Sequence, residues 1–382
     1  MSLKISNANR VFINMTALRH NYREAKRLAA DRLVMAVVKD DAYGHGLVGS
    51  AHTLEQAGAD ALGVTEVMEG LILRKNGLQI PIYVLGGISD LSQIEPAIRQ
   101  NLGLFVPDSE HARAISQKAK ELDLTARIHI KVDSGLGRRG FRTDNCQEML
   151  KEIMSWPNLD IQGLATHLAT AGDQGAHEQL EKFDDLCYKA NLMGFPGRFN
   201  TALNSGGLIW HPDHQAPMVR VGLMLYGVQP GPELGPVRPD LRGAMTVLSR
   251  VTHIHELSPG EALGYGRTFV ARRPMKVAVV PFGYSQGLLR SRSGRGWALI
   301  RGMRAPQIGL ISMNASTYDI TNIPEVVHGD NVVILGRYST GLIKAGDMAA
   351  WAATTPYEIL NFMGRLNPRY IEGSDYEEDA IV

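Results

Sequence analysis

The sequence predicts an α/β chain, with an N-terminal (β/α)8 TIM-type barrel over residues 1–237 and a mostly β domain over 238–382. Three observations predict it. Short apolar runs alternate with helix-length amphipathic segments eight times through the first two-thirds, close to the length of a closed barrel. Pro and Gly then cluster in "VQPGPELGPVRPDLRG", Val228–Gly243, where helical spacing stops. Beyond it, strand-like runs broken by Gly turns take over. An open doubly wound sheet would also alternate, but eight regular units fit closure better.

Taken in order, "NMTALRHNYREAKRLAADR" reads as an opening helix with Asn14 or Thr16 as its cap. The eight barrel strands follow at "VMAVVK", "ALGVT", "IPIYVLGG", "LGLFVP", "ARIHIKVD", "IQGLATHL", "RFNTALNS" and "MVRVGLMLYG". Segments such as "GLVGSAHTLEQAG", "EVMEGLILRKNG" and "DSEHARAISQKAKELD" carry apolar residues at helical spacing between them. In the last third "MTVLSRVTHIHEL", "MKVAVVPFG", "WALIRG", "RAPQIGLISM" and "NVVILG" read as strands, and "DMAAWAATTPYEILNFMGRL" as a helical tail.

Composition narrows the function classes. The 382 residues are 44% hydrophobic and 21% charged, a globular balance. A net charge of +1 gives no electrostatic reason to expect nucleic acid or an anionic membrane as partner. Cys146 and Cys187 are too few for a disulfide framework and read as reduced thiols. "MSLKISNANR" lacks the apolar core of a signal peptide, and no run approaches membrane-spanning length, so the expectation is a cytoplasmic protein. No metal site is expected.

In such a barrel, chemistry sits at the C-terminal ends of the strands. Those ends carry Lys39, Thr65, Lys131 with Asp133, His167, Asn204 with Ser205, and Arg220. Lys39 ends a core strand, where a partly desolvated amine loses its proton more easily and can form a Schiff base. A lysine snorkelling from a strand end is the plainer alternative. The "YGHG" that follows adds glycines for close backbone approach and the Tyr43 phenol for an anionic group. Ser205 with the amides near Gly222 and Leu223 makes a phosphate cradle, or two tight Gly-rich turns. "GLGRRG", Gly135–Gly140, matches a dinucleotide fingerprint, with Asp160 about twenty residues on. It reads as a decoy, since it follows the fifth strand of a regular series and carries two arginines in the turn.

With "AVVKDDAYGHG", "ALGVTEVMEGLILRKNG", "KVDSGLGRRGF", "THLATAGD", "NSGG", "RVGLMLYG", "GYGRTF", "ISMN" and "PYEIL" in this order, the chain resembles the alanine racemase family from about Arg10 to Tyr370. These are two-domain enzymes that use pyridoxal 5'-phosphate. The resemblance implies that Lys39 holds the cofactor as a Schiff base and then acts as a base at the α-carbon. It implies that Tyr265 is the second base, on the opposite face and from the partner of a homodimer. Tyr43, Ser205, Tyr357 and the amides of Gly222 and Leu223 would bind phosphate, with Asn204 beside them. Arg220 would face the pyridine nitrogen, Arg138 the phenolic oxygen, and His167 would connect Arg220 to Tyr265. Lys131 matches a position that can be carbamylated, which would orient Arg138. Arg138, Tyr265, Tyr284, Met313 and Asn314 would surround the substrate, with the Met313 amide on its carboxylate across the dimer. The activity implied is racemisation of alanine, a supply of D-amino acid for cell-wall precursors.

The chemistry agrees with this arrangement. Inverting a stereocentre needs one base on each face. An ordinary phenol keeps its proton at neutral pH, so a cationic Arg220–His167 chain would help Tyr265 to act. Arginine rather than a carboxylate at the ring nitrogen would weaken the electron sink and curb transamination. The sequence departs from the family pattern at Asp40, Thr201, Val221, Gln286 and Asn314, which opens serine or a broader range of amino acids as substrate. A decarboxylase on the same scaffold and a non-catalytic pyridoxal-phosphate carrier are the other readings. Arg220 speaks against the first and Tyr265 against the second.

Overall fold

A computed structural model describes residues 7–144, 146–231, 235–338 and 341–373. The chain gathers into two compact units. One holds Leu18–Ala42 and Leu47–Arg242; the other holds the residues up to Ala17, the short stretch Tyr43–Gly46 and the residues from Gly243 onward. This differs from a single cut between 237 and 238. The reason is β1 (Arg10–Asn14), a strand not read from the sequence, which pairs with strands from the end of the chain. Part of the Pro/Gly boundary, residues 232–234, lies outside the described residues.

The larger unit is a barrel. Strands β2 (Leu33–Val37), β3 (Ala61–Val64), β4 (Ile82–Val84), β5 (Gly103–Val106) and β6 (Ala126–Asp133) pair in parallel in chain order. The two-residue β7 (Phe141–Arg142) sits on the end of β6, and β8 (Leu159–Ala165) pairs with β6. β9 (Met218–Val221) returns to β2, also in parallel. The expected seventh strand, "RFNTALNS", is reduced to one residue: Thr201 bridges Ala165 and Met218. Its ladder is interrupted because the Asn200 side chain accepts the Leu164 N–H at 2.7 Å, in place of a main-chain partner. The expected eighth strand stops after four residues, and Leu223–Tyr226 turns into a 3₁₀ helix. Met35, Tyr83, Phe105, Ala165 and Met218 form one apolar cluster of this unit.

Asn14 caps the opening helix Met15–Ala29, accepting the Ala17 N–H at 2.8 Å. This satisfies one of the orphan donors of the first turn, so of the two expected caps it is Asn14 that acts. The helices expected after β2, β3 and β5 occupy Leu47–Gln56, Val67–Lys75 and Ser109–Glu121.

The second unit is mostly β. Its strands are β10 (Met245–Arg250), β11 (His253–Leu257), β12 (Ala262–Leu263), β13 (Phe269–Val270), β14 (Met275–Val280), β15 (Trp297–Ile300), β16 (Met303–Ile308), β17 (Ser316–Asp319), β18 (Asn331–Tyr338), β19 (Gly341–Ile343) and β20 (Arg369–Glu372). One sheet runs in the order β11-β14-β17-β16-β15-β18-β10-β1-β20, with β19 on β18 and β12–β13 as a separate hairpin. The expected helical tail is two helices, Ala345–Ala352 and Pro356–Arg365. They part at Ala353, in the left-handed region at φ 54°, just before a proline suited to a helix start. No described helix is long and apolar enough to cross a membrane.

Candidate active site

The site begins with Lys39, two residues past the end of β2. The ladder continues through the Val38 N–H on Gly63 O at 2.8 Å, and then the chain coils the wrong way. Asp40, Asp41, Ala42 and Tyr43 have φ between 53° and 57°, followed by Gly44 at 83°. Left-handed helix costs non-glycine residues about 1–2 kcal/mol each, so surrounding contacts must hold this turn. Glu69 supplies one of them. Its carboxylate accepts the Asp40 N–H at 2.6 Å and the Thr65 N–H at 2.8 Å, tying the segment after Lys39 to the end of β3. Asp41 accepts the Leu47 N–H at 2.9 Å. Glu69 was not singled out from the sequence, although its place in a capping box with Glu66 is the signal that carries it.

On β9, the strand paired directly with β2, Arg220 lies opposite Met35, is 5% exposed and has no carboxylate partner among the described residues. It donates to Thr201 Oγ1 at 2.7 Å, to the carbonyls of Thr166 at 2.6 Å and Ala202 at 3.3 Å, and to His167 Nδ1 at 3.3 Å. All of these bonds leave from Nη1 and Nη2. Burial lowers its pKa to about 10, so it stays charged at neutral pH. His167 is held neutral, its pKa pushed to about 3 by burial and then by Arg220, Lys131, Arg138 and Lys39. Because Arg220 can only donate, His167 Nδ1 accepts and its proton sits on Nε2. The charge expected of an Arg220–His167 chain therefore resides on the arginine.

Lys131 belongs to the same cationic cluster. Its pKa is lowered to about 8 by burial, then by Arg220 and Arg138, with Asp133 pulling the other way. Asp133 is already committed, since its carboxylate accepts the amides of Gly135, Gly137 and Arg138 at 2.9–3.0 Å. The "GLGRRG" turn is thus wrapped around its own aspartate, which leaves those amides unable to cradle a pyrophosphate.

Ser205 Oγ, buried, accepts the Gly222 N–H at 2.9 Å and the Met224 N–H at 3.5 Å. Ser205 thus ties the short helix it begins to the loop after β9, at the Gly222 and Met224 amides. Asn204 serves as the cap of the short helix Ser205–Trp210, accepting the Gly207 N–H at 2.9 Å. A cleft of about 330 Å³ lined by Asp184, Cys187, Asp213 and His214 lies beside Pro217, where β9 begins, and not at the strand ends that carry these cations.

The β unit holds the remaining expected residues. Tyr43 and Tyr357 bring their rings to 5.7 Å. Gly44 permits it: a Cβ there would stand 2.6 Å from Leu360 O, in the helix that begins next to Tyr357. Tyr265 lies between Gly264 at φ 72° and Gly266 at φ 67°, and is 67% exposed. Tyr284 and Met313 sit on two loops zipped together by Tyr284 N–H to Ser312 O at 3.1 Å and Ser285 N–H to Met313 O at 2.9 Å. Met313 is 54% exposed, Asn314 next to it is also exposed, and the Met313 N–H makes no hydrogen bond among the described residues.

Two family models match the chain: alanine racemase, N-terminal domain, over residues 13–230, and alanine racemase, C-terminal domain, over 244–371. The chain belongs to the alanine racemase family. It is 37% identical to the alanine racemase of Syntrophobacter fumaroxidans over 93% of this chain and 95% of that one. It is 35% identical to that of Halothermothrix orenii over 97% and 98%. Among solved structures, alanine racemase from the D-cycloserine producer Streptomyces lavendulae superposes with a TM-score of 0.90 at 30% identity, covering 97% of this chain and 98% of that one. The Clostridium difficile enzyme gives 0.88 at 30%, covering 97% of each. Pyridoxal 5'-phosphate is the family's cofactor.

Proposed function

We propose that this alanine racemase family chain interconverts L- and D-alanine in the cytoplasm, as a homodimer that carries pyridoxal 5'-phosphate at the strand ends of its barrel. The observation that carries the reading is Arg220, a buried cation with no carboxylate partner among the described residues, in a cluster with Lys131, Arg138 and Lys39 around a neutral His167. Buried positive charge without a counter-charge is costly, and an anionic cofactor supplies one. The donors fit such a group: a serine hydroxyl converging with main-chain amides for a phosphate, and a cluster of cations for its other negative oxygens.

When bound, the cofactor supplies an electron sink for the α-carbon. Lys39 anchors it and moves a proton at that carbon on one face. Arg220, kept charged by neutral acceptors only, disfavours protonation of the ring nitrogen it would face. Tyr265 of the partner subunit would serve the opposite face; its exposure within its own chain leaves it open to a second copy. The neutral His167 has an Nε2 proton to give to that phenol oxygen, backed by the Arg220 charge at Nδ1. Arg138 and, across the dimer, the backbone amide of Met313 of the partner subunit would hold the substrate carboxylate, with Tyr284 also at the substrate. A second reading, a wider range that includes serine, is favoured by the neutral, exposed Asn314 next to Met313.

Subunit mixing tests the shared site. Lys39→Ala and Tyr265→Ala are each expected to abolish alanine racemisation. Random re-association of the two should restore about a quarter of wild-type activity, since half of the dimers then contain one intact site. Full inactivity of the mixture, with exchange of subunits verified, would sink the assignment of Tyr265 to the partner.

A further inference from the structure

We infer that Gln179, on the helix Gln174–Leu192, is a positioning residue that holds His167 for proton transfer on one face of the substrate. The inference rests on the racemase reading and deepens it. Gln179 is 5% exposed, and side-chain amides so buried are retained where their bonds are made. Its Oε1 accepts the Ala169 N–H at 2.8 Å, and its Nε2 donates to the His167 carbonyl at 3.2 Å. One side chain thus takes an acceptor from residue 167 and a donor from residue 169, as the main chain of a parallel neighbour would. The loop needs this because β8 has ended at Ala165.

The same amide joins two parts of the site. Gln179 Nε2 reaches Ser134 Oγ at 3.4 Å, and Ser134 Oγ is 2.8 Å from Thr166 Oγ1. A Cβ at Gly135 would stand 3.0 Å from Gln179 Cγ, so the loop leading to Arg138 packs directly on this side chain. On the other side, the Thr166 carbonyl accepts Arg220 Nη2 at 2.6 Å. The backbone around His167 is therefore pinned between Arg220 and Gln179. Among the described residues the His167 ring has one hydrogen bond, the 3.3 Å contact to Arg220, and a small shift of that backbone would break it.

Gln179→Glu is the sharpest test, because it keeps the shape and changes one hydrogen. A carboxylate still accepts from Ala169 but has nothing to donate to the His167 carbonyl, whereas the protonated acid does. Racemisation by holoenzyme Q179E should be near normal at low pH. It should then fall about 10- to 100-fold as pH rises through one added ionisation absent from wild type. Gln179→Leu should be impaired at every pH. The loss must be equal in both directions, since mirror images have an equilibrium constant of one. In heavy water, however, solvent exchange into unconverted substrate should persist for one enantiomer, the one whose proton Lys39 takes. A Gln179 with a purely architectural role would lower cofactor content, melting temperature and both exchange reactions together. That pattern, or a wild-type pH profile in Q179E, would overturn the inference; should Q179L fail to fold, the Q179E profile decides. Failure of the wild-type holoenzyme to racemise alanine would instead strike the function proposed above.

Discussion

The surroundings of Lys131 favour its neutral amine. Burial, Arg220 and Arg138 all favour its neutral form, and the opposing Asp133 is occupied by three main-chain amides. With a pKa of about 8 the amine is partly unprotonated near neutrality and nucleophilic toward carbon dioxide. Attack of nitrogen on that carbon, with a proton released to solvent, would replace a cation by a carbamate anion beside Arg138. Protein equilibrated with 13C-bicarbonate at pH 8 should show a carbamate carbon resonance that Lys131→Met lacks; its survival in the variant would place the modification elsewhere. The residues at strand ends were legible from sequence because alternation located the barrel mouth. Gln179 resists such a reading. It acts by bonding to main-chain groups of the loop after β8, and nothing in its neighbours' spacing marks that role.

The element that sets the site is the left-handed turn after β2. Four consecutive non-glycine residues at positive φ store strain that Glu69, Asp41 and the fit of Gly44 offset. Gly44→Ala would place a methyl 2.6 Å from Leu360 O at a backbone angle hostile to alanine. We expect a loss of more than about 2 kcal/mol in denaturant stability and faster cofactor release, as Tyr43 and Tyr357 separate. An unchanged midpoint would mean that the packing at Gly44 is loose. Sequence periodicity located the helices well, but not this turn, because "KDDAYG" carries only one glycine for five left-handed positions. It also missed β1 and β20, which are short and defined only by pairing with each other and with β10. The seventh strand is shorter than its sequence suggests for the opposite reason: the sequence has strand character, and the Asn200 side chain displaces the ladder.

At the scale of the whole molecule, two buried neutral histidines contribute to loss of stability in acid. His129, enclosed in the barrel between Tyr83 and Phe105, has its pKa lowered to about 4 by burial, and His167 to about 3. Unfolding returns both to an ordinary value near 6.5, so between those limits the unfolded chain binds more protons and stability falls as pH drops below about 6.5. His129 alone should account for on the order of 3 kcal/mol of that loss. His129→Leu should flatten the acid limb of a stability–pH curve, and an unaltered slope would contradict the assignment. The two-unit organisation was readable from sequence because the change from helical to strand texture near Val228 is long-range. The return of the first residues to the second unit was not, because only pairing reveals it. A two-base racemase has one base on each face of the α-carbon. The most direct test incubates the holoenzyme with L-alanine in heavy water, following α-proton exchange by NMR and enantiomer content by chiral chromatography. Exchange accompanied by inversion is the expected result. Exchange without inversion would leave one face without its base, and no exchange despite bound cofactor would contradict the account.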